Sequence, residues 1–95
     1  MEGKFVIVRT YSAGVHAGTL KTQNGKEVVL TKSRRLWYWS GAASLSELAV
    51  RGAKNVSSCK FTVPVDEIKL TEAIEIIPCT GEAETMITTC PEWRA

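Results

Sequence analysis

The sequence predicts a mostly β fold with one or two short helices, most of the chain forming a small, strongly bent antiparallel β-barrel or sheet. Three observations lead there. Short, β-branched apolar runs recur at strand length with period-two alternation. Asn24-Gly25 stands between two such runs as a hairpin signal. Four strands in a meander and a late pair would leave many open edges in a flat sheet built from 95 residues, and curling hides them.

The elements follow in order. Phe5-Val6-Ile7-Val8, continued by Arg9-Thr10-Tyr11, is the first strand, and Ser12-Ala13-Gly14 breaks it. Val15 to Thr22 is the second. Gly18 inside it predicts a bulge, a sharp bend or a close backbone approach. Asn24-Gly25 suits a type I′ turn, whose two central residues both need positive φ, and Glu27 to Thr31 returns as the third strand. Arg34 to Trp39 follows closely enough to be a fourth strand of the meander.

Ser44-Leu45-Ser46-Glu47 has capping-box spacing and starts a short helix. Leu45, Leu48 and Ala49 share one face of it, and Gly52 is placed to end it. Ala53 to Lys60 is a polar connection. Phe61-Thr62-Val63 is extended because Pro64 disfavours helix before it. Val65 to Leu70 and Ala73 to Ile77 alternate as strands, with Thr71-Glu72 as either a turn or a bend, and Pro78 ends the ladder. Thr80 caps a last helix over residues 81 to 89. Trp93 in the tail folds back on the barrel or reaches a neighbouring subunit.

The length fits a single domain over residues 1–95, with one core and a stability that oligomerisation would help. Apolar content of 44% and charged content of 23% exclude a disordered or fibrous chain, and a net charge of +2 does not by itself call for nucleic acid. There is no signal-peptide pattern and no membrane-length apolar run, so a cytoplasmic protein is expected. Cys59, Cys79 and Cys90 are widely spaced and accompanied by one histidine, which predicts buried thiols and no metal site, although a Cys79–Cys90 disulfide remains open.

Chemistry concentrates in Arg34-Arg35-Leu36-Trp37-Tyr38-Trp39. Guanidinium forks suit phosphate or carboxylate, and indole faces stack on bases or cations. Strand alternation sends Arg35, Trp37 and Trp39 to one side and Arg34, Leu36 and Tyr38 to the other, and the same pattern would serve a strand that only seals a core. The candidate ligand-binding set is Arg9, Tyr11, His16, Arg34, Arg35, Trp37 and Trp39. No catalytic residues, cofactor or metal ligands are expected. His16 lacks an acidic orienter in its segment, Ser12 with His16 is a weak dyad, Glu72 and Glu75 alternate to opposite faces, and no glycine-rich phosphate loop of Walker or dinucleotide type occurs.

The run Gly14 to Leu20, then Asn24-Gly25, then Val28-Val29-Leu30, resembles the bent second strand and hairpin of Sm-like small barrels. That resemblance implies ring-shaped oligomers and nucleotide or RNA binding. Across nearly the whole chain, Val8 to His16, Arg34 to Trp39 and Glu72 to Thr80 resemble a family of small uncharacterised proteins of tailed bacteriophages and prophages. This second resemblance lends no catalytic residues. It implies a non-enzymatic protein in the host cytoplasm, such as a homo-oligomeric counter-defence sponge that sequesters a nucleotide-derived signal. A protein-interaction module that inhibits a host protein or serves a structural phage role, and a binder of single-stranded nucleic acid, are the alternatives.

Overall fold

A computed structural model describes every residue from Met1 to Ala95. The strands are β1 (Phe5–Thr10), β2 (Val15–Asn24), β3 (Glu27–Tyr38), β4 (Lys60–Phe61), β5 (Val65–Leu70) and β6 (Ala73–Pro78). Helices α1 (Leu45–Arg51) and α2 (Gly81–Thr89) and a 3₁₀ turn at Val56–Ser58 complete the chain. The fold is mostly β, as expected: an antiparallel sheet in the order β4-β3-β2-β1-β6, with β5 paired to β3. Only Thr71-Glu72 joins β5 to β6, although the two pair with different strands, β3 and β1. The sheet must therefore curl until β5 comes close to β6.

That curl separates two cores. Val6 and Val8 of β1 meet Leu20, Val28, Leu30 and Leu70 inside the curl, with Ile68, Ala73 and Ile76 packed against them. Phe5 and Ile7 point the other way, into a cluster with Ala17, Leu36, Leu48, Ala49, Phe61 and Ile87 that the helices cover. β1 is buried on both faces, which is why its sequence reads as a continuous apolar run rather than an alternation. The caps form as the sequence implies. Ser44 Oγ accepts from the Glu47 N–H at 3.0 Å, while the Glu47 carboxylate reaches back to the Ala43 N–H at 2.7 Å. Thr80 Oγ1 accepts from the Ala83 N–H at 3.2 Å.

Three local features differ from the expectations or sharpen them. The third and fourth strands are one strand: the chain passes through Lys32 at φ 50° and continues, so the early part of β3 pairs with β5 and its end pairs with β4. The β2–β3 turn is displaced by one residue. Asn24 pairs with Glu27, which leaves Gly25-Lys26 as the central pair, and of these two only Gly25 (φ 61°) has positive φ, the pattern of a type II′ turn. Gly18 marks a register shift between Ala17 and Thr19 and a close approach, since a Cβ there would lie 2.9 Å from the Thr31 carbonyl oxygen.

The largest departure concerns Arg34, which is 3% exposed. Its Nε donates to the Thr62 carbonyl (2.8 Å), Nη1 to those of Ile87 (2.8 Å) and Cys90 (2.6 Å), and Nη2 to that of Phe61 (3.1 Å). The carbonyls at the end of α2 lack intrahelical partners and carry partial negative charge, and no basic residue lies in that helix's own last turn. Arg34 supplies the missing cation from β3. Burial lowers its pKa from the usual arginine value, and Cys90 and then Glu92 oppose that shift.

Removing this side chain would leave the Thr62, Ile87 and Cys90 carbonyls without a donor, while that of Phe61 keeps the Trp93 N–H. Arg34→Met is expected to destabilise the fold by about 3–5 kcal/mol in urea unfolding, since each buried acceptor left unpaired costs about 1–3 kcal/mol. Arg35→Met should cost well under half of that.

Candidate functional site

The site begins with the loop between β1 and β2. Thr10 builds it: Thr10 Oγ1 donates to the Gly14 carbonyl and accepts from the Ala13 N–H, both at 2.8 Å, and Gly14 takes φ 85°. This presents the Ala13 carbonyl to two donors. His16 Nε2 approaches it at 2.9 Å and Arg35 Nη1 donates to it at 3.0 Å. His16 and Arg35 are cross-strand partners, so their side chains lie on one face. Thr62 fixes the backbone of Arg35 from the other side: its hydroxyl accepts from the Arg35 N–H at 3.1 Å, and its N–H donates to the Arg35 carbonyl at 3.1 Å.

Two recesses share Arg35. An open groove of about 470 Å³ is lined by Ser12, Ala13, Gly14 and Val15 on one side and Arg35, Leu36, Trp37 and Trp39 on the other. A smaller cavity of about 60 Å³ lies beside it, against His16 and Ser33. Trp37 is 59% exposed, and its ring stacks on Trp93 with centroids 5.1 Å apart and planes 21° from parallel. Lys60 Nζ lies 5.2 Å from the Trp37 ring centroid and 5.4 Å from that of Trp93. Trp39 is partly buried against the helix-covered core.

The structure thus assembles part of the candidate set and disperses the rest. Arg35, Trp37 and Trp39 meet in the groove, and His16 adjoins it through Ala13. Tyr11 stands at the loop as an exposed ring, its N–H donating to the Glu72 carbonyl at 3.0 Å. Arg9 is held by Glu75 at 3.0 Å and lines neither recess. Arg34 leaves the set, because four of its five donors are spent inside the fold. Sequence reasoning missed Ser33 and Thr62. For Ser33 the available signal was its place two residues before Arg35 on a strand, which puts both on one face.

No assembled catalytic group appears among these residues. Ser12 Oγ donates to Glu72 rather than to His16, and the Ser33 hydroxyl has no partner. All three thiols are free. Burial, assisted by Glu84, pushes Cys79 up to about 11, and burial raises Cys90, so neither is a ready thiolate at neutral pH. No group of three His, Cys, Asp or Glu side chains is placed to hold a metal ion, and no helix is long and apolar enough to cross a membrane.

Residues 3–87 match the family model described as "Domain of unknown function (DUF6948)". The matched span includes His16, Ser33, Arg35 and Trp37 and ends before Trp93. No curated protein and no solved structure matches the chain.

His16 is 1% exposed, and burial lowers its pKa from 6.5, with the Ala13 carbonyl opposing and Arg35 reinforcing the shift. The unfolded chain therefore takes up the proton more readily than the fold does. Stability is complete above the ordinary histidine value and falls as the pH drops below it. Urea midpoints should decline from about pH 7.5 to about pH 5.5, and His16→Gln should flatten that decline.

Proposed function

Because the chain belongs to the DUF6948 family, a domain of unknown function, we propose its function from the site itself: a non-enzymatic binding protein that captures an anionic, ring-bearing ligand of nucleotide type. The observation that carries this reading is the meeting of Arg35, Trp37 and Trp39 in one open groove whose lining contains no Asp or Glu. Arg35 gives one donor to Ala13 and keeps the others for a ligand. Stacking on an exposed indole contributes about 1–3 kcal/mol per base, and a phosphate on a guanidinium fork adds a charge-assisted pair.

Sequestration of a nucleotide-derived defence signal by a phage-encoded homo-oligomer in the host cytoplasm is the finer form of this proposal. It draws on the resemblances noted above. A protein-contact role is the second reading, favoured by the exposure of Tyr11 (77%), Trp37 (59%), Tyr38 (48%) and Trp93 (43%), since exposed aromatics dominate protein interfaces. Single-stranded nucleic acid is the third, and it predicts affinity that falls steeply with salt.

Purified protein incubated with a cyclic dinucleotide or ADP-ribose should deplete it from solution and return it intact on heating, with native mass spectrometry giving the stoichiometry. Trp37→Ala should weaken capture by about five- to a hundredfold, the equivalent of one lost stack. An unchanged ligand concentration over wild-type protein, together with a stoichiometric host protein retained on it, would replace this reading with the second.

A further inference from the structure

The small cavity beside the groove has a feature that packing does not account for. Ser33 is 1% exposed, and its hydroxyl is the one buried side-chain polar atom without a hydrogen-bond partner. Leaving such a hydroxyl unpaired costs about 1–3 kcal/mol, and an alanine would fill the same space without that cost. Ser33 lines a cavity of about 60 Å³ with His16, Arg35, Thr62, Val63, Val65 and Ile68. The volume exceeds the roughly 10–15 Å³ one water needs, and it limits any charged occupant to a compact one.

We propose that this cavity is a phosphate-binding subsite, in which the unpaired Ser33 hydroxyl, the buried His16 ring and the Arg35 guanidinium converge on one tetrahedral phosphoryl group. The charge balance selects an anion, since Arg35 lines the cavity and no Asp or Glu does. Arg35 has a single protein acceptor, the Ala13 carbonyl, so its remaining donors are available. Ser33 supplies a neutral donor. His16 spends Nε2 on Ala13, and its other ring nitrogen accepts in the neutral ring, which suits the P–OH of a singly protonated phosphate. Val63, Val65 and Ile68 form an apolar side of the cavity that offers no competing polar group, although Val63 and Val65 are themselves exposed. Thr62 makes no new bond here. Its hydroxyl holds the Arg35 backbone and so fixes where the guanidinium starts.

The inference rests on the groove reading for its larger consequence. Arg35 lines both recesses, so a nucleotide whose ring stacks in the groove would send its terminal phosphate past Arg35 into the cavity. Phosphate and phosphomonoester share the chemistry that the cavity offers, and the assay separates them.

The full-length chain is titrated with inorganic phosphate, adenosine and adenosine 5′-monophosphate by calorimetry. Wild type should bind phosphate, and Ser33→Ala and Arg35→Gln should each weaken that binding by about tenfold or more, the usual worth of a hydrogen bond to a charged group. Trp37→Ala should leave it unchanged. Ser33→Ala removes an unsatisfied hydroxyl and should melt at or above the wild-type temperature, so weaker binding is not a sign of unfolding. Failure of wild type to bind phosphate, or Ser33→Ala binding it as tightly, overturns the subsite. If adenosine and its monophosphate bind equally through Trp37 while phosphate alone does not bind, the groove stands and the cavity reading falls. If phosphate binding follows Ser33 while neither adenosine compound responds to Trp37→Ala, the cavity stands and the groove reading falls.

Discussion

The fold turns on one buried cation. Arg34 has no carboxylate within ion-pair distance, and it sits at 3% exposure because four carbonyl oxygens replace its water. Two of them, from Ile87 and Cys90, lie at the end of α2, where unpaired backbone dipoles accumulate. The other two come from Phe61 and Thr62, beside the short edge strand β4. One side chain of β3 therefore ties together a helix end, an edge strand and the start of the tail. From Cys90 the chain runs beside β4, with Glu92 bridging to Phe61 and the Trp93 N–H donating to the Phe61 carbonyl at 2.8 Å. The Trp93 ring comes to rest on Trp37 as a consequence. The site also depends on Arg34 through alternation: with Arg34 and Leu36 committed inward beneath the helices, Arg35 and Trp37 must face the other way.

Much of the fold was legible because its signals are local. Alternation separated Arg35 and Trp37 from Arg34 and Leu36, Ser44 and Thr80 announced their helices, and Gly18 marked a place where two backbones come too close for a side chain. What stayed hidden depends on partners distant in sequence. Nothing near Lys32 says that it adopts φ 50° and lets the strand run on, because only the pairing of β3 with both β5 and β4 makes an unbroken strand favourable. The Asn-Gly pair signalled a hairpin correctly but not its frame, since the Asn24–Glu27 pairing fixed the turn one residue later. Arg34 looked like a surface cation because its acceptors lie 27 to 56 residues away. Ser33 looked unremarkable until its hydroxyl proved to have no partner.

The three arginines singled out in the sequence have three different fates, and only Arg35 both lacks a carboxylate partner and keeps most of its donors free. Arg9 is neutralised by Glu75 at the surface, where such a pair contributes little to stability but spends the charge locally. Arg34 is neutralised by backbone dipoles in the interior. Arg35 is paired with no carboxylate and holds a single carbonyl, yet Ala13 at its tip and Thr62 at its backbone restrict where it can go. A cation that is restrained but not neutralised has already lost part of the side-chain entropy that binding an anion would otherwise cost, and it keeps the charge to attract one. Its neighbours extend the same logic: an indole that stays 59% exposed although a second indole stacks on it, and a buried hydroxyl that the protein leaves unpaired. Each is a structural compromise in the free molecule, and the anionic, ring-bearing ligand proposed above would resolve all three.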